Sequence, residues 1–435
     1  MRLGKGGSRA RTRFAPLAFA LLFAALLAPA GGAPRAGSVE PMAGLRVRQE
    51  ILSNVYYFDT NEQDRDWIRV RTRLGLRWKP GGGNVFEARL ANESREMRTP
   101  GGGWNGDELI VDRLAWTWKG GERPFAITLG RQDVVWNDGF LVLDGNPFDG
   151  SRSIHQNAFR VVWGKKDLIE VLAVANQKDD PLVIARDEKW ISEDRPMRDA
   201  DERALAIRCA GAGGKEAALI MKREKDPDGV LPTQTNWTFD FRQKIDEGKD
   251  PGVLLEIAPQ RRFGDAREGW ALAAQAKIWK TWRKRTRAEA GCLFYSGEGE
   301  QLRAFRTPWG RWPRWSDLYI YSLVGEGGVG LWEDMIGPFA GVTHALTERV
   351  DLEGRCAYWH APEEGESRGI LTLLGAKFRI GKGFSGHLLW ERFDPGGYYD
   401  SGPYCYPCGC DKTAPAADWT ETAHFIRWQI SYDLN

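Results

Sequence analysis

Apolar and polar side chains alternate without a break through Ile426-Arg427-Trp428-Gln429-Ile430-Ser431-Tyr432-Asp433-Leu434-Asn435. Successive side chains of a β-strand point to opposite faces, so this stretch predicts a strand with one apolar and one polar face. A soluble sheet buries the apolar face in a core, whereas a membrane barrel turns it towards lipid and keeps the polar face in a wet lumen. The rest of the sequence has to decide between these two structures.

The N-terminal residues predict export from the cytoplasm. Basic residues between Arg2 and Arg13 precede an apolar run from Phe14 to Leu27 and the small residues Ala28-Pro29-Ala30, a pattern typical of a Sec signal peptide. Removing its five basic residues from a total of 61 leaves 56 Lys and Arg against 59 Asp and Glu. This near balance argues against a nucleic-acid partner, whose binding domain would be strongly basic.

Clusters of Gly, Pro, Asn and Asp cut the remaining sequence into short alternating runs. Eight breaks are short, at 80–84, 120–124, 164–167, 211–215, 246–251, 283–286, 347–349 and 381–383. Nine are long, at 58–66, 99–107, 136–157, 177–201, 224–234, 260–268, 299–336, 362–368 and 394–419. The two kinds alternate along the chain, as in an up-and-down barrel with short periplasmic turns and long extracellular loops.

These connections predict an all-β protein: a closed antiparallel transmembrane β-barrel of about 18 strands. The count requires that 316–335 belong to a long loop, folded inward, and not to a further strand. We therefore predict a signal peptide at 1–30, an N-terminal linker at 31–42 and an outer-membrane β-barrel at 43–435. The expected location is the outer membrane of a Gram-negative cell, after Sec export.

Arginines mark the face of the barrel that must meet water. In the second strand Ile68 and Val70 take one side, while Arg69, Arg71 and Arg73 take the other. An arginine facing lipid near the bilayer midplane costs about 2–4 kcal/mol, so the arginine face must be the lumen. The same alternation places Arg46, Arg48, Arg89 and Arg160 in the lumen. Internal ion pairs that brace the wall are the alternative role for each of them.

The segment that follows Leu129-Gly130-Arg131-Gln132-Asp133 predicts a structured long loop. The apolar run from Phe140 to Leu143 offers it something to bury, and the Asp-Gly pairs at 144–145 and 149–150 favour tight turns. Such a loop could fold into the pore and narrow it, with an ordinary packed surface loop as the alternative. A calcium site is disfavoured because the acidic spacing is wrong and no terminal Glu follows.

This block, with Ser151-Arg152 at its end, resembles the alginate-export family of outer-membrane porins, as do Arg46-Val-Arg-Gln-Glu50 and the stretch Arg69–Leu76. The resemblance implies an eighteen-stranded barrel whose arginine-rich lumen passes an anionic polyuronate outward. The family positions correspond to Arg46 or Arg48, Arg71 or Arg73, Arg131, Asp144 and Arg152. Arg131 is in phase with the apolar face of its strand, so it would need a bulge to point inward.

The predicted function is passive passage of alginate-like polyuronates, with uptake of general anions or organic acids as the alternative. The candidate lumen residues are Arg46, Arg48, Arg69, Arg71, Arg73, Arg89, Arg131, Asp144, Arg152 and Arg160. We expect no catalytic residue, metal or cofactor. The expected partners are an anionic saccharide or organic anion, outer-membrane lipid and the barrel assembly machinery, and a periplasmic export partner is left open.

Two rival classes of function remain. A barrel enzyme would need a nucleophile or an acid at hydrogen-bonding distance from a rim histidine such as His155 or His360. A secreted sugar-binding β-protein would need helices or a second sheet to cover the apolar faces, and the sequence lacks amphipathic helical segments. The loop cysteines Cys405, Cys408 and Cys410 are consistent with a disulfide, free thiols or a metal site.

Overall fold

We analysed a computed structural model of the chain, which describes residues 37–55, 64–121, 124–144, 155–164, 167–185, 200–245, 251–264, 268–310, 315–319, 321, 333–381, 383–399 and 421–434. The predicted signal peptide, Arg152 and the three loop cysteines lie outside these residues. Among the helical segments that are described, none is both long and apolar enough to cross a membrane.

The described residues form 21 strands and one short 3-10 helix, Gly397–Tyr399. The strands are β1 (Ser38–Ser53), β2 (Arg65–Gly81), β3 (Asn84–Thr99), β4 (Gly103–Lys119), β5 (Phe125–Gln132), β6 (Val134–Val135), β7 (Leu143–Asp144), β8 (Gln156–Trp163), β9 (Leu168–Asn176), β10 (Val183–Ala185), β11 (Asp201–Gly211), β12 (Lys215–Lys225), β13 (Gln234–Ile245), β14 (Gly252–Gly264), β15 (Gly269–Trp282), β16 (Thr286–Tyr295), β17 (Met335–Ala345), β18 (Val350–Ala361), β19 (Glu366–Gly381), β20 (Phe384–Pro395) and β21 (Ala423–Leu434).

Eighteen of these strands make a closed wall. Each pairs antiparallel with the next, and β21 pairs with β1, from Ala43 opposite Leu434 to Ser53 opposite His424. The remaining three lie off this circuit, because β6 pairs with β7 and β10 pairs with the upper part of β4. The predicted closed antiparallel barrel of 18 strands is therefore confirmed.

The predicted alternation of short and long connections holds only in part: three of the nine connections predicted to be long are short, that between β14 and β15 (265–268) among them, because some strands run further than the sequence pattern suggested. The connection between β3 and β4 spans only 100–102, and that between β18 and β19 only 362–365. The polar residues that we had assigned to these loops continue as paired strands, because backbone pairing does not require an apolar face. For the same reason β1 begins at Ser38, inside the predicted linker, where it pairs with Lys79.

The alternation of faces follows the prediction. Leu76 and Trp78 on β2 are 58% and 47% exposed on the outside of the barrel, whereas Arg69 and Arg73 are 2% and 4% exposed inside it. The apolar side chains thus form an outer band, and the charged side chains of the same strands line the interior. A sheet of this kind needs neither helices nor a second sheet on its outer face.

Two inward loops fill part of the barrel. The first inward loop (133–144) follows β5, and the second inward loop (296–310, 315–319 and 321) follows β16. They carry buried apolar side chains, including Val142, Phe305, Trp309 and Tyr319, each fully enclosed. Of the loop predicted at 316–335, residues 316–319 and 321 lie inside the barrel as expected, and the two inward loops narrow the lumen.

Candidate functional site: the lumen

Arginines from adjacent strands converge on one side of the lumen. We call this group the arginine wall and define it as Arg46, Arg48, Arg69, Arg71, Arg73, Arg89 and Arg427, on β1, β2, β3 and β21. The register brings like charges together: Arg46 lies opposite Arg71, and Arg48 lies opposite Arg69. Like charges on directly opposed residues destabilise a sheet, so this wall depends on nearby anions.

Glu50 is the central carboxylate of the arginine wall. Its side chain is fully buried and lies 2.7 Å from Nη2 of Arg427, 3.3 Å from Nε of Arg69 and 3.5 Å from Nε of Arg48. The indole of Trp67 also donates a hydrogen bond to it at 2.6 Å. One buried carboxylate therefore holds three guanidiniums, each of which would be costly to bury without it.

Three further carboxylates bind arginines of this wall. Glu93 binds Arg46 at 2.9 Å, Asp112 binds both Arg73 and Arg89 at 2.8 Å, and Asp317 of the second inward loop binds Arg427 at 2.9 Å. Glu50, Glu93 and Asp112 each bind more than one guanidinium of the arginine wall.

Arg48 carries donors that the described residues do not satisfy. Its side chain is 1% exposed, and within the described residues Nη2 donates no hydrogen bond. Buried guanidinium donors are ordinarily bonded, and their flat fork matches a carboxylate. Arg48 thus has a buried donor that the described residues leave unsatisfied.

The opposite side of the lumen has a different composition. Here basic and acidic side chains alternate in what we call the ion-pair wall, defined as Arg160, Glu170, Arg208, Glu216, Arg242, Asp240, Glu256 and Lys277 on β8, β9 and β11–β15. Arg208 lies 2.6 Å from Glu216 and 3.5 Å from Glu170, and Arg242 lies 3.0 Å from Glu216. The two signs nearly balance, so this wall is braced internally.

The ion-pair wall holds the first inward loop in place. Asp138 binds Nζ of Lys277 at 2.9 Å, Asn137 donates to Glu216 at 3.0 Å, and the indole of Trp136 donates to Glu170 at 3.0 Å. Burial by itself raises the pKa of the Asp138 carboxyl, but Lys277, Arg242 and Gln275 together outweigh burial, so the net pKa is lowered. The Asp138 carboxyl is therefore ionised at neutral pH.

The second inward loop is fixed by side chains that donate to its backbone. Lys222 donates to the carbonyl of Pro308 at 2.7 Å, and Arg262 donates to that of Ala304 at 2.9 Å. Its backbone also joins the first inward loop, since Leu143 N donates to the carbonyl of Trp309 at 3.1 Å. The joined loops form a constriction across the lumen.

The structure brings together most of the predicted lumen residues. Arg46, Arg48, Arg69, Arg71, Arg73 and Arg89 all lie in the arginine wall. Arg160 also faces the lumen but belongs to the ion-pair wall, where Nε lies 2.7 Å from Glu170. Asp144 lies in β7 of the first inward loop, where its backbone pairs with Val134.

Arg131 does not line the lumen as predicted. β5 keeps a regular register through Leu114 opposite Arg131, so no bulge reverses its side chain. Arg131 instead donates to the carbonyl of Val111 at 2.8 Å and to Asn157 at 3.0 Å, and it also binds Asp180. It closes the gap in the wall where β5 ends and β10 takes its place beside β4.

Several lumen residues were missed from the sequence. Arg427 was not among the candidate residues, although it lies on the polar face of the predicted strand 426–435, and this alternation would have placed it in the lumen. Lys277 and Arg208 also alternate with apolar neighbours on their strands. Asp138, by contrast, lies in a loop without periodicity, and only the fold of that loop brings it to Lys277.

His155 has an acid partner, one of the features that would favour an enzyme. Its Nδ1 lies 2.8 Å from Asp133, which also lies 3.2 Å from Arg113. The His155 side chain is only 1% exposed, and it ties the end of the segment after β5 to its beginning. This burial and position give the Asp133–His155 pair a bracing role.

Comparisons with known proteins show a shared fold. The chain is similar to OccK2 (OpdF) of Pseudomonas aeruginosa in complex with glucuronate (TM-score 0.51, 12% identity, covering 91% of this chain and 96% of that one). It is also similar to OpdK of the same organism with vanillate (0.53, 10%, 91% and 98%) and to a BenF-like porin of Pseudomonas fluorescens (0.57, 10%, 91% and 98%).

No family model and no curated protein matches the sequence. The comparisons therefore do not support the expected membership of the alginate-export family. At identities near 10% they establish the architecture alone: the chain folds as the closed antiparallel barrel seen in outer-membrane porins.

Proposed function

We propose that this protein is an outer-membrane porin that passes small organic anions, carboxylates above all, passively through its lumen. The arginine wall is the observation that carries the proposal. Its guanidiniums share carboxylates with one another and form a succession of similar sites for an anion, which is what conduction through a narrow pore requires. No chemical step or cofactor is part of this function.

The constriction favours a small solute over a polymer. The two inward loops are hydrogen-bonded to each other and fixed to the wall by side chains such as Lys222 and Arg262. A polyuronate would have to thread this fixed gap, whereas a single carboxylate needs only to pass along the arginine wall. The solved structures of OccK2 with glucuronate and of OpdK with vanillate, both similar in fold to this chain, contain ligands of this size class.

Single-channel recording with added uronates tests the proposal. We expect glucuronate to interrupt the current in a concentration-dependent manner, because a carboxylate in the arginine wall displaces conducting chloride. Replacement of Arg69, Arg71 and Arg73 together by Gln should abolish most of the interruptions. Uronate oligomers should block one mouth for longer without crossing.

A matched control separates lumen charge from total charge. Arg283, Lys284 and Arg285 form an exposed turn between β15 and β16, and their replacement by Gln removes the same three charges outside the lumen. This control should retain the glucuronate interruptions. Equal block of wild type and the Arg69/Arg71/Arg73 variant would refute the proposed role of the arginine wall, and passage of oligomers at the rate of the monomer would favour polysaccharide transport.

A further inference from the structure

A second basic group lies on the outer surface of the barrel, near the end that carries the long loops. We call it the outer basic patch and define it as Arg203 on β11, Arg223 and Lys225 on β12, and Arg261 on β14. Arg203 and Arg223 are directly opposed in the sheet, and Leu205, two residues along β11, is 40% exposed on the same face. The patch therefore points outward.

Described carboxylates do not neutralise the centre of this patch. Opposed like charges are unfavourable in a sheet, and across the described residues neither Arg203 nor Arg223 has an ion pair within 4.0 Å. Arg261 approaches Glu268 only at 4.0 Å, and that glutamate is 61% exposed. Asp201, opposite Lys225, accepts a hydrogen bond from the backbone of Lys178.

The opposite side of the barrel offers a contrast. Arg392 on β20 also faces outward near the long-loop end, since it lies two residues beyond Trp390 and opposite His424. It is paired internally with Asp394 at 2.7 Å. An outward arginine at this height thus has a carboxylate partner in one region of the barrel, while Arg203 and Arg223 have no ion pair within 4.0 Å among the described residues.

Aromatic residues set the level of the patch in the membrane. Trp237 and Trp270 flank Arg261 in the register, point outward and are 41% and 50% exposed. The guanidinium of Arg261 lies 5.9 Å from the ring of Trp270 and 5.5 Å from that of Phe263. Exposed tryptophans gather at the interface between acyl chains and headgroups, so the patch lies at headgroup level.

We propose that the outer basic patch binds the phosphate groups of a phosphorylated glycolipid in the outer leaflet. Guanidiniums bind phosphate oxygens in a bidentate manner, and an anion between Arg203 and Arg223 relieves their repulsion. The acyl chains lie along the apolar residues below, Leu205 and Trp237 among them. The inference rests on the proposed function in one respect, the location of the barrel in the outer membrane.

Native mass spectrometry of the full chain tests this inference. The protein is released from phosphatidylcholine nanodiscs that contain bis-phosphorylated lipid A, and the retained lipid is counted. We expect wild type to retain lipid A, and expect the R203Q/R223Q/R261Q variant to lose about fivefold in affinity for each arginine removed. R392Q, which removes an outward arginine that already has a carboxylate partner, should retain lipid A as wild type does.

Dephosphorylated lipid A provides an arm that needs no variant. Wild type should retain it no better than phosphatidylcholine, since the patch recognises phosphate. Equal retention of the two forms of lipid A, or undiminished retention by the triple variant, would overturn the inference. The reversal potential of the wild-type channel, measured in phosphatidylcholine bilayers without glycolipid, tests the proposed function separately.

Discussion

The arginine wall and the ion-pair wall are built from the same alternating strands, yet they differ in how their arginines are used. Arg208 in the ion-pair wall lies between Glu170 and Glu216, each on a neighbouring strand. Arg48 in the arginine wall shares Glu50 with two other guanidiniums. The comparison teaches that an inward arginine can brace a barrel or attract a solute. The number of carboxylates near each arginine distinguishes the bracing role from the attracting role.

Removal of Glu50 should produce the largest effect on stability. E50Q leaves Arg48, Arg69 and Arg427 without their shared carboxylate, and loss of one partner from a buried ion pair typically costs about 3–5 kcal/mol. E170Q, in the ion-pair wall, should cost less because Arg208 keeps Glu216 and Arg160, which loses Glu170, is 28% exposed, whereas Arg48 is buried and has no second ion pair among the described residues. Urea unfolding of both variants in detergent micelles measures the difference, and an E170Q variant as unstable as E50Q would contradict the distinction between the walls.

The Asp133–His155 pair should contribute stability that depends on pH. Burial raises the pKa of the Asp133 carboxyl, but His155, Arg113 and Arg89 together lower it by more, so that the pKa is about 2 in the folded protein. A lowered folded pKa stabilises the protein above the ordinary value of 3.8, and this contribution disappears as the pH falls towards 2.

We therefore expect D133N to destabilise the barrel by about 2 kcal/mol at pH 7. The difference between D133N and wild type should shrink steadily below pH 4. Urea unfolding midpoints at pH 7 and pH 2.5 provide the measurement. A difference that stays constant between these two pH values would show that the Asp133 carboxylate is not the stabilising group.

The contact that anchors the first inward loop should have the smallest effect on stability. Asp138 and Lys277 are partly exposed, at 28% and 22%, so their coupling should be about 0.5–1 kcal/mol in a double-mutant cycle. D138N should nevertheless raise the single-channel conductance, because the loop gains freedom to leave the constriction. The double variant D138N/K277M should conduct no more than either single variant, and an additive increase would exclude a direct contact.

The sequence predicted the barrel because period-two alternation and turn residues can be recognised in short segments. The alternation is regular because every strand must present apolar side chains to the bilayer. The same pattern placed the arginines of β2 in the lumen. Only one phase of the strand is possible there, because a shift by one residue would turn Arg69 and Arg71 towards lipid. Arg131 shows the limit of the family resemblance. The resemblance implied a position in the lumen, whereas the phase of its strand placed Arg131 on the apolar face, and the structure agrees with the phase. The contacts that form the constriction could not be predicted from the sequence. Leu143 and Trp309, for example, are hydrogen-bonded but lie far apart in the chain, and no local pattern relates them.

The reversal potential across a planar bilayer in a KCl gradient tests the central claim most directly. We predict that the wild-type channel prefers chloride, and that replacing Arg69, Arg71 and Arg73 by Gln moves the reversal potential most of the way to the value of an unselective pore. The Arg283/Lys284/Arg285 control should stay close to wild type. A reversal potential that the three lumen substitutions leave unchanged would contradict the account.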